Sequence, residues 1–183
     1  MNQTPIIALV GLCGTGKSEA GRLLESLGYE LVYFGGVVVD EVKRRGLPVN
    51  EANEKAVREQ LRATHGMAAM AKVKLPAIQE MLAQGRKVAI DGLYSFAEYE
   101  LLKKAFGDGL KLIAMHTAKP LRYARMAARP VRPLSQADVD ARDFFEIKNL
   151  DKGGPIAIAD AHVVNDDSPE AFAAALRAAI ARL

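Results

Sequence analysis

The chain has 183 residues, half of them hydrophobic, with 25 basic against 22 acidic side chains and a formal net charge of +3. That length suits one compact domain and the composition can bury an ordinary core, which excludes a disordered or collagen-like chain. The basic excess suits small anionic ligands but is too slight to argue for a nucleic-acid partner, and the single cysteine excludes an intrachain disulfide and fits a reducing compartment.

The opening "MNQTPIIALVGL" lacks the basic segment of a secretion signal. No apolar run in the chain approaches the roughly 18–20 residues that cross a bilayer. The expectation is a soluble cytoplasmic protein with no membrane partner. Pro5 to Leu12 reads as a buried strand, and the residues after it match G-x-x-x-x-G-K-[ST] in full: Gly11, Leu12, Cys13, Gly14, Thr15, Gly16, Lys17, Ser18. Glycines at 11, 14 and 16 allow backbone angles that other residues resist, and they clear side chains from the path of a phosphate. The loop N–H groups and the start of the following helix then converge on anionic oxygens. Lys17 supplies a full charge to the β- and γ-phosphates, and Ser18 offers a hydroxyl to Mg²⁺. A dinucleotide fingerprint starting at Gly14 fails, because Glu19 stands where the third glycine would be. Cys13 reads as a small loop residue.

Ser18 to Gly28 predicts a helix closed by glycine, and Tyr29 to Phe34 a second strand. Gly35 to Gly85 is long for a simple crossover. It contains two helical stretches, "NEKAVREQLRATH" and "GMAAMAKVKLPAIQEMLAQG", and reads as an insertion over a site. Arg58 and Arg62 share a helix face there, read as solvated surface unless an acceptor uses them. Lys87 to Gly92 is the third strand. Asp91 at its end falls where ligands bind in parallel sheets, and is assigned to the metal's water shell or to the acceptor. Ser95 is the better cap for the next helix, "SFAEYELLKKAF". Leu110 to His116 is the fourth strand. The segment after it carries Arg122, Arg125, Arg129, Arg132 and Arg142. The first three fall on one helical face, and Pro130 and Pro133 break the helix to give a flap. Arginine at such a flap matches the geometry of a transferred phosphoryl group. Ala161 to Asn165 is the fifth strand, and "PEAFAAALRAAIARL" is the last helix. Continuous apolar strands separated by helices predict an α/β fold, a parallel sheet with helices on both faces.

The pieces "GLCGTGKS", "IDG", "RYARMAAR" and "IADAHVVND" resemble the nucleoside monophosphate kinase group of P-loop kinases. The last looks like a strand shared by adenylate kinases and dephospho-coenzyme A kinases. "RRGL" together with "RDFFEIKNLDKGGPIAIADAHVVN" is closer to a family of adenylate-kinase-like ATPases. The resemblance implies a P-loop NTPase fold over residues 1–183, with a five-stranded parallel sheet of order 2-3-1-4-5. It also implies an acceptor-binding arm at 35–74 and a lid at 129–143, with the loop after Asn165 near adenine. Two features depart from the group. The region after the second strand lacks the group's acid and arginine, and "DG" is followed by Leu93 and Tyr94 instead of Pro-Arg. These departures argue against AMP as acceptor and leave the donor loop intact.

The sequence therefore predicts an ATP-dependent, Mg²⁺-dependent phosphotransferase for a nucleotide, nucleoside or coenzyme-like molecule. A nucleotide-binding ATPase or regulator, or a dephospho-coenzyme A kinase, are the alternatives. Catalytic roles are expected for Lys17, Asp91, Arg129, Arg132 and Arg142. Nucleotide contacts are expected from Gly11 to Ser18 and from Asn165, and metal contacts from Ser18 and Asp91.

Overall fold

The computed structural model describes residues 5–130 and 133–183. Five short apolar runs form strands: β1 (Ile6–Val10), β2 (Tyr29–Tyr33), β3 (Lys87–Asp91), β4 (Leu110–His116) and β5 (Ala161–Val164). All pair in parallel, in the order β2-β3-β1-β4-β5. Every residue of β1 is buried, as a central strand covered on both faces requires. Its side chains alternate between two cores. Ile6, Ala8 and Val10 meet Val32, Ile90 and Leu112 on one face. Ile7 and Leu9 meet Ala89, Ile113 and Val163 on the other.

The helices in chain order are α1 (Lys17–Ser26), α2 (Gly35–Arg44), α3 (Glu51–His65), α4 (Ala69–Ala83), α5 (Phe96–Phe106), α6 (Lys119–Ala127), α7 (Gln136–Leu150), α8 (Gly153–Ala157) and α9 (Pro169–Ile180). Leu24 of α1 and Phe172 and Leu176 of α9 pack under the Ile7 face. Val38 of α2, Ile78 of α4 and Leu102 of α5 pack on the Ile6 face. Each such aliphatic side chain, fully buried, contributes about 1.5–3 kcal/mol. The boundaries follow local chemistry. Asn50, Ser95, Ser135 and Ser168 cap α3, α5, α7 and α9 through side-chain oxygens, and Ser95 closes a capping box with Glu98. Asp91 therefore does not cap α5.

The structure adds one helix and corrects one expectation. Residues 35–44 are helical, although Gly35, Gly36 and three consecutive valines are poor helix formers. Burial of Val37, Val38 and Val42 overrides propensity there. Arg129 does not continue the face of Arg122 and Arg125, because α6 ends at Ala127 with Ala128 as its cap. Arg132 lies outside the described residues. Among the described residues no helix is long and apolar enough to cross a membrane.

Candidate functional site

The carboxyl ends of the strands open into a cavity of about 730 Å³. On one side of it the chain leaves β1 through the glycine loop. Gly11, Gly14 and Gly16 have φ of 151°, 80° and 95°, all in the region that favours glycine. Gly16 also stands against Asn165, whose amide nitrogen a Cβ at 16 would strike. Gly16 is the N-cap of α1 and makes no side-chain capping bond, so the first N–H groups of α1 are free for an anion. Thr15 is buried and donates to the Leu12 carbonyl.

Cys13, Gly14, Gly16, Lys17 and Ser18 line the cavity. Gly11, Leu12 and Thr15 shape the loop without lining it. The Gly11 and Leu12 carbonyls each accept from Lys17 Nζ at 2.8 Å. Lys17 keeps some surface at the loop mouth, but its ammonium is enclosed. Burial, reinforced by Lys152, pulls its pKa down to about 7. A bound polyphosphate restores the charge, so binding takes up a proton. Affinity for ADP should then fall by up to about tenfold per pH unit from about pH 7.5 to 9. Calorimetry in buffers of different ionisation heat measures this, and a flat affinity would show that Lys17 is already charged.

Asp91 ends β3 in register with Leu9 and Tyr33, is 8% exposed, and lines the cavity. Burial raises its pKa, while Lys17 and Lys152 oppose the rise. Ser18 is exposed at the lip of the same cavity. Among the described residues no group of three or more His, Cys, Asp or Glu is placed to hold a metal. The donor set instead suits Mg²⁺, which keeps waters and phosphate oxygens and takes one or two protein oxygens. Ser18 and Asp91 can supply those.

The α7 side of the cavity brings an ion network that the sequence did not reveal. Glu146 of α7 is buried and pairs with Arg142 Nε at 3.0 Å and with Lys152 Nζ at 2.7 Å. Burial disfavours its charge, but Lys152 and Arg142 outweigh that and hold its pKa at about 2. Asp151 takes a left-handed φ of 50° after α7. The turn lets the Lys152 N–H bond to the Glu146 carbonyl and returns the ammonium beneath the helix. There Nζ sits 4.8 Å from the Tyr94 ring centroid, 1% of the residue being exposed. Lys152, Arg142 and Glu146 all line the cavity. Lys152 had no local signal, since six-residue spacing to Glu146 matches no helical pair.

Arg129 is exposed and lines the cavity, as does Arg125. Arg122 acts elsewhere. It is buried, donates to the Cys13 carbonyl at 2.7 Å and pairs with Asp143 at 2.6 Å, which fastens α6 and α7 to the glycine loop. Asn165 lines the cavity and donates to the Thr15 carbonyl at 3.1 Å. Arg58 and Arg62 also line the cavity, and Arg62 is buried, which corrects their reading as solvated surface. His116 and His162 stack on each other with 3.0 Å between ring nitrogens, and neither lines the cavity.

The sequence pattern of the AAA domain family (AAA_18) matches residues 7–151. A UPF0200 protein of Thermococcus onnurineus (strain NA1) is 35% identical over 170 residues, covering 91% of each chain. One from Methanoculleus marisnigri is 35% identical over 181 residues, covering 97% of this chain and 96% of its own. Among solved structures, a gluconokinase from Sinorhizobium meliloti 1021 superposes with a TM-score of 0.60 at 16% identity. The match covers 100% of this chain and 94% of that one. A shikimate kinase from Bacteroides thetaiotaomicron gives 0.57 at 14% identity, covering 97% and 95%. These two likenesses show a kinase-like P-loop fold.

Proposed function

The chain belongs to the UPF0200 family and to the wider AAA domain family, and we propose that it is an ATP-dependent phosphotransferase for a nucleotide, nucleoside or coenzyme-like acceptor. One observation carries the reading: a single cavity collects the glycine loop, Lys17, Asp91 and the cations Arg142 and Lys152.

The loop amides and α1 hold the β- and γ-phosphates, and Lys17 leaves its two carbonyl partners to meet them. Mg²⁺, carried by the phosphates with Ser18 and Asp91, would neutralise charge that builds on the leaving oxygen. Asp91 accepts the proton of the acceptor hydroxyl or phosphate oxygen. That oxygen bonds the γ-phosphorus as the bond to the ADP oxygen breaks. Arg142, Lys152 and Arg129 face the equatorial oxygens, where fixed charge is most effective in a site shielded from water. Residues 35–74 serve as the acceptor-binding arm and 129–143 as the lid, and Asn165 holds the loop on the adenine side. Cytoplasmic ATP is the donor.

The test is an ADP-release screen over nucleoside monophosphates, nucleosides and dephospho-coenzyme A, with Lys17→Ala as the blank. ADP release that rises only with an acceptor supports the reading. Release independent of every acceptor supports an ATPase or regulator. Asp91→Asn should lower turnover by about 100-fold with ATP affinity within about threefold of the parent. An unchanged rate removes Asp91 from the reaction.

A further inference from the structure

We propose that the Tyr94 hydroxyl touches the phosphoryl acceptor beside Asp91, and that the attacking group there is an alcohol hydroxyl, as on a nucleoside or a polyol, rather than a phosphate oxygen. The inference rests on the phosphotransferase reading, names the class of its second substrate and adds a residue that selects it.

Tyr94 lies just beyond the end of β3, is half-buried, and lines the cavity together with Asp91. Its position is fixed in three ways. The backbone N–H donates to Glu98 Oε2 at 2.7 Å. Lys152 Nζ lies 4.8 Å from the ring centroid. The ring edge folds back over Gly92, whose φ is 93°. A Cβ on Gly92 would stand 2.8 Å from Tyr94 Cε2 and 3.3 Å from the hydroxyl oxygen, so the glycine makes room for the phenol next to Asp91. Among the described residues none hydrogen-bonds that hydroxyl. Its oxygen is not one of the buried polar atoms left without a partner, so it opens on the cavity. Tyr33, in register with Asp91 across β2 and β3, is 48% exposed and lines the same cavity. Two phenols thus accompany the carboxylate.

Burial, reinforced by Tyr33 and Asp91, pushes the Tyr94 pKa well above the ordinary 10, so the phenol keeps its proton. A neutral hydroxyl held in place can donate to an alcohol oxygen or accept from one. An alcohol must lose its proton as it attacks, and Asp91, made more basic by burial, can take it. A phosphomonoester has a second pKa of about 6, so at neutral pH it is mostly ionised, needs no base, and meets Asp91 as a like charge. In the transfer the alcohol oxygen bonds the γ-phosphorus and its proton passes to Asp91. The bond from the γ-phosphorus to the ADP oxygen breaks, and its electron pair stays on ADP. Tyr94 keeps its proton and hydrogen-bonds the acceptor throughout.

The test uses the full chain with ATP and Mg²⁺. Adenosine, dephospho-coenzyme A, gluconate, shikimate and AMP are offered as acceptors, ADP release is followed, and phosphorus NMR identifies the product. At least one of them should support ADP release and yield a new phosphomonoester. With AMP, any new bond should form at a ribose oxygen and not at the phosphate. Tyr94→Phe keeps the ring against Lys152 and loses only the oxygen. It should raise the KM of the working acceptor by about tenfold with kcat within about threefold of the parent. Its ADP affinity and melting temperature should match the parent's, which also shows that the variant folds. A lowered melting temperature with unchanged KM would give Tyr94 a structural role and overturn the proposal. A phosphoanhydride product, or an unchanged KM at an unchanged melting temperature, overturns it as well and leaves the phosphotransferase reading standing. ADP release that no acceptor increases overturns the phosphotransferase reading itself.

Discussion

Lys17→Ala is expected to reduce ATP-dependent turnover by about 10³-fold or more and to leave the fold intact. The rate loss follows from position, because no other ammonium stands within the glycine loop. Arg142 and Lys152 line the same cavity but are bound to Glu146. The preserved fold follows from electrostatics. Burial and Lys152 lower the pKa of Lys17 to about 7 from an ordinary 10.5. A basic group with a depressed pKa is destabilising while charged, so folding gains when it is removed and loses two loop hydrogen bonds. The two effects oppose, and the melting temperature should move by only a few degrees, at about 2–4 °C per kcal/mol for a chain of this size. ADP-release rates and a thermal melt on the same preparations measure both. Equal rates for variant and parent would show that Lys17 does not touch the transferred group.

The second large effect is structural. Glu146→Gln leaves the buried Lys152 ammonium and the Arg142 guanidinium facing a neutral amide. Removing one partner of a buried ion pair costs about 3–5 kcal/mol, or a fall in melting temperature of roughly 10 °C. The paired change Glu146→Leu with Lys152→Met should recover part of that loss, since the fully buried cation is then gone and only the half-exposed Arg142 lacks its partner. The pH dependence has a definite sign. The Glu146 carboxyl sits at about 2 in the folded protein against an ordinary 4.5. Its stabilisation is present above about pH 4.5 and is lost as pH falls towards 2. The parent should therefore weaken across that window, and Glu146→Gln should weaken less steeply there. Urea midpoints at several pH values measure the difference. Parallel curves would show that the network does not stabilise the fold.

The sheet and the phosphate loop were legible because each carries a local signature. Apolar runs of about five residues mark buried parallel strands, and glycines at 11, 14 and 16 with Lys17 and Ser18 mark the loop. The strand order came from resemblance, and the structure has that order. What the sequence hid depends on contacts between distant segments. α2 begins with two glycines and three valines, so only its packing against Val57 and Met70 in the same core reveals it as a helix. Lys152 lies 135 positions from Lys17 and enters the site only because Asp151 adopts a left-handed turn. Arg122 looked like its neighbour Arg125 in the sequence. The fold turns one inward to Cys13 and Asp143, and leaves the other near Thr117 and Asn165. Burial of Arg62 was equally invisible, because α3 has charged residues on several faces.

The bond from Asn165 to the Thr15 carbonyl spans 150 positions. During synthesis, the glycine loop leaves the ribosome long before the residue that steadies it. A nascent chain halted before β5 has β1 and the loop, but neither Asn165 nor its neighbouring strand. The loop therefore gains this brace only once β5 has paired with β4, which makes its final shape a late product of the sheet's assembly.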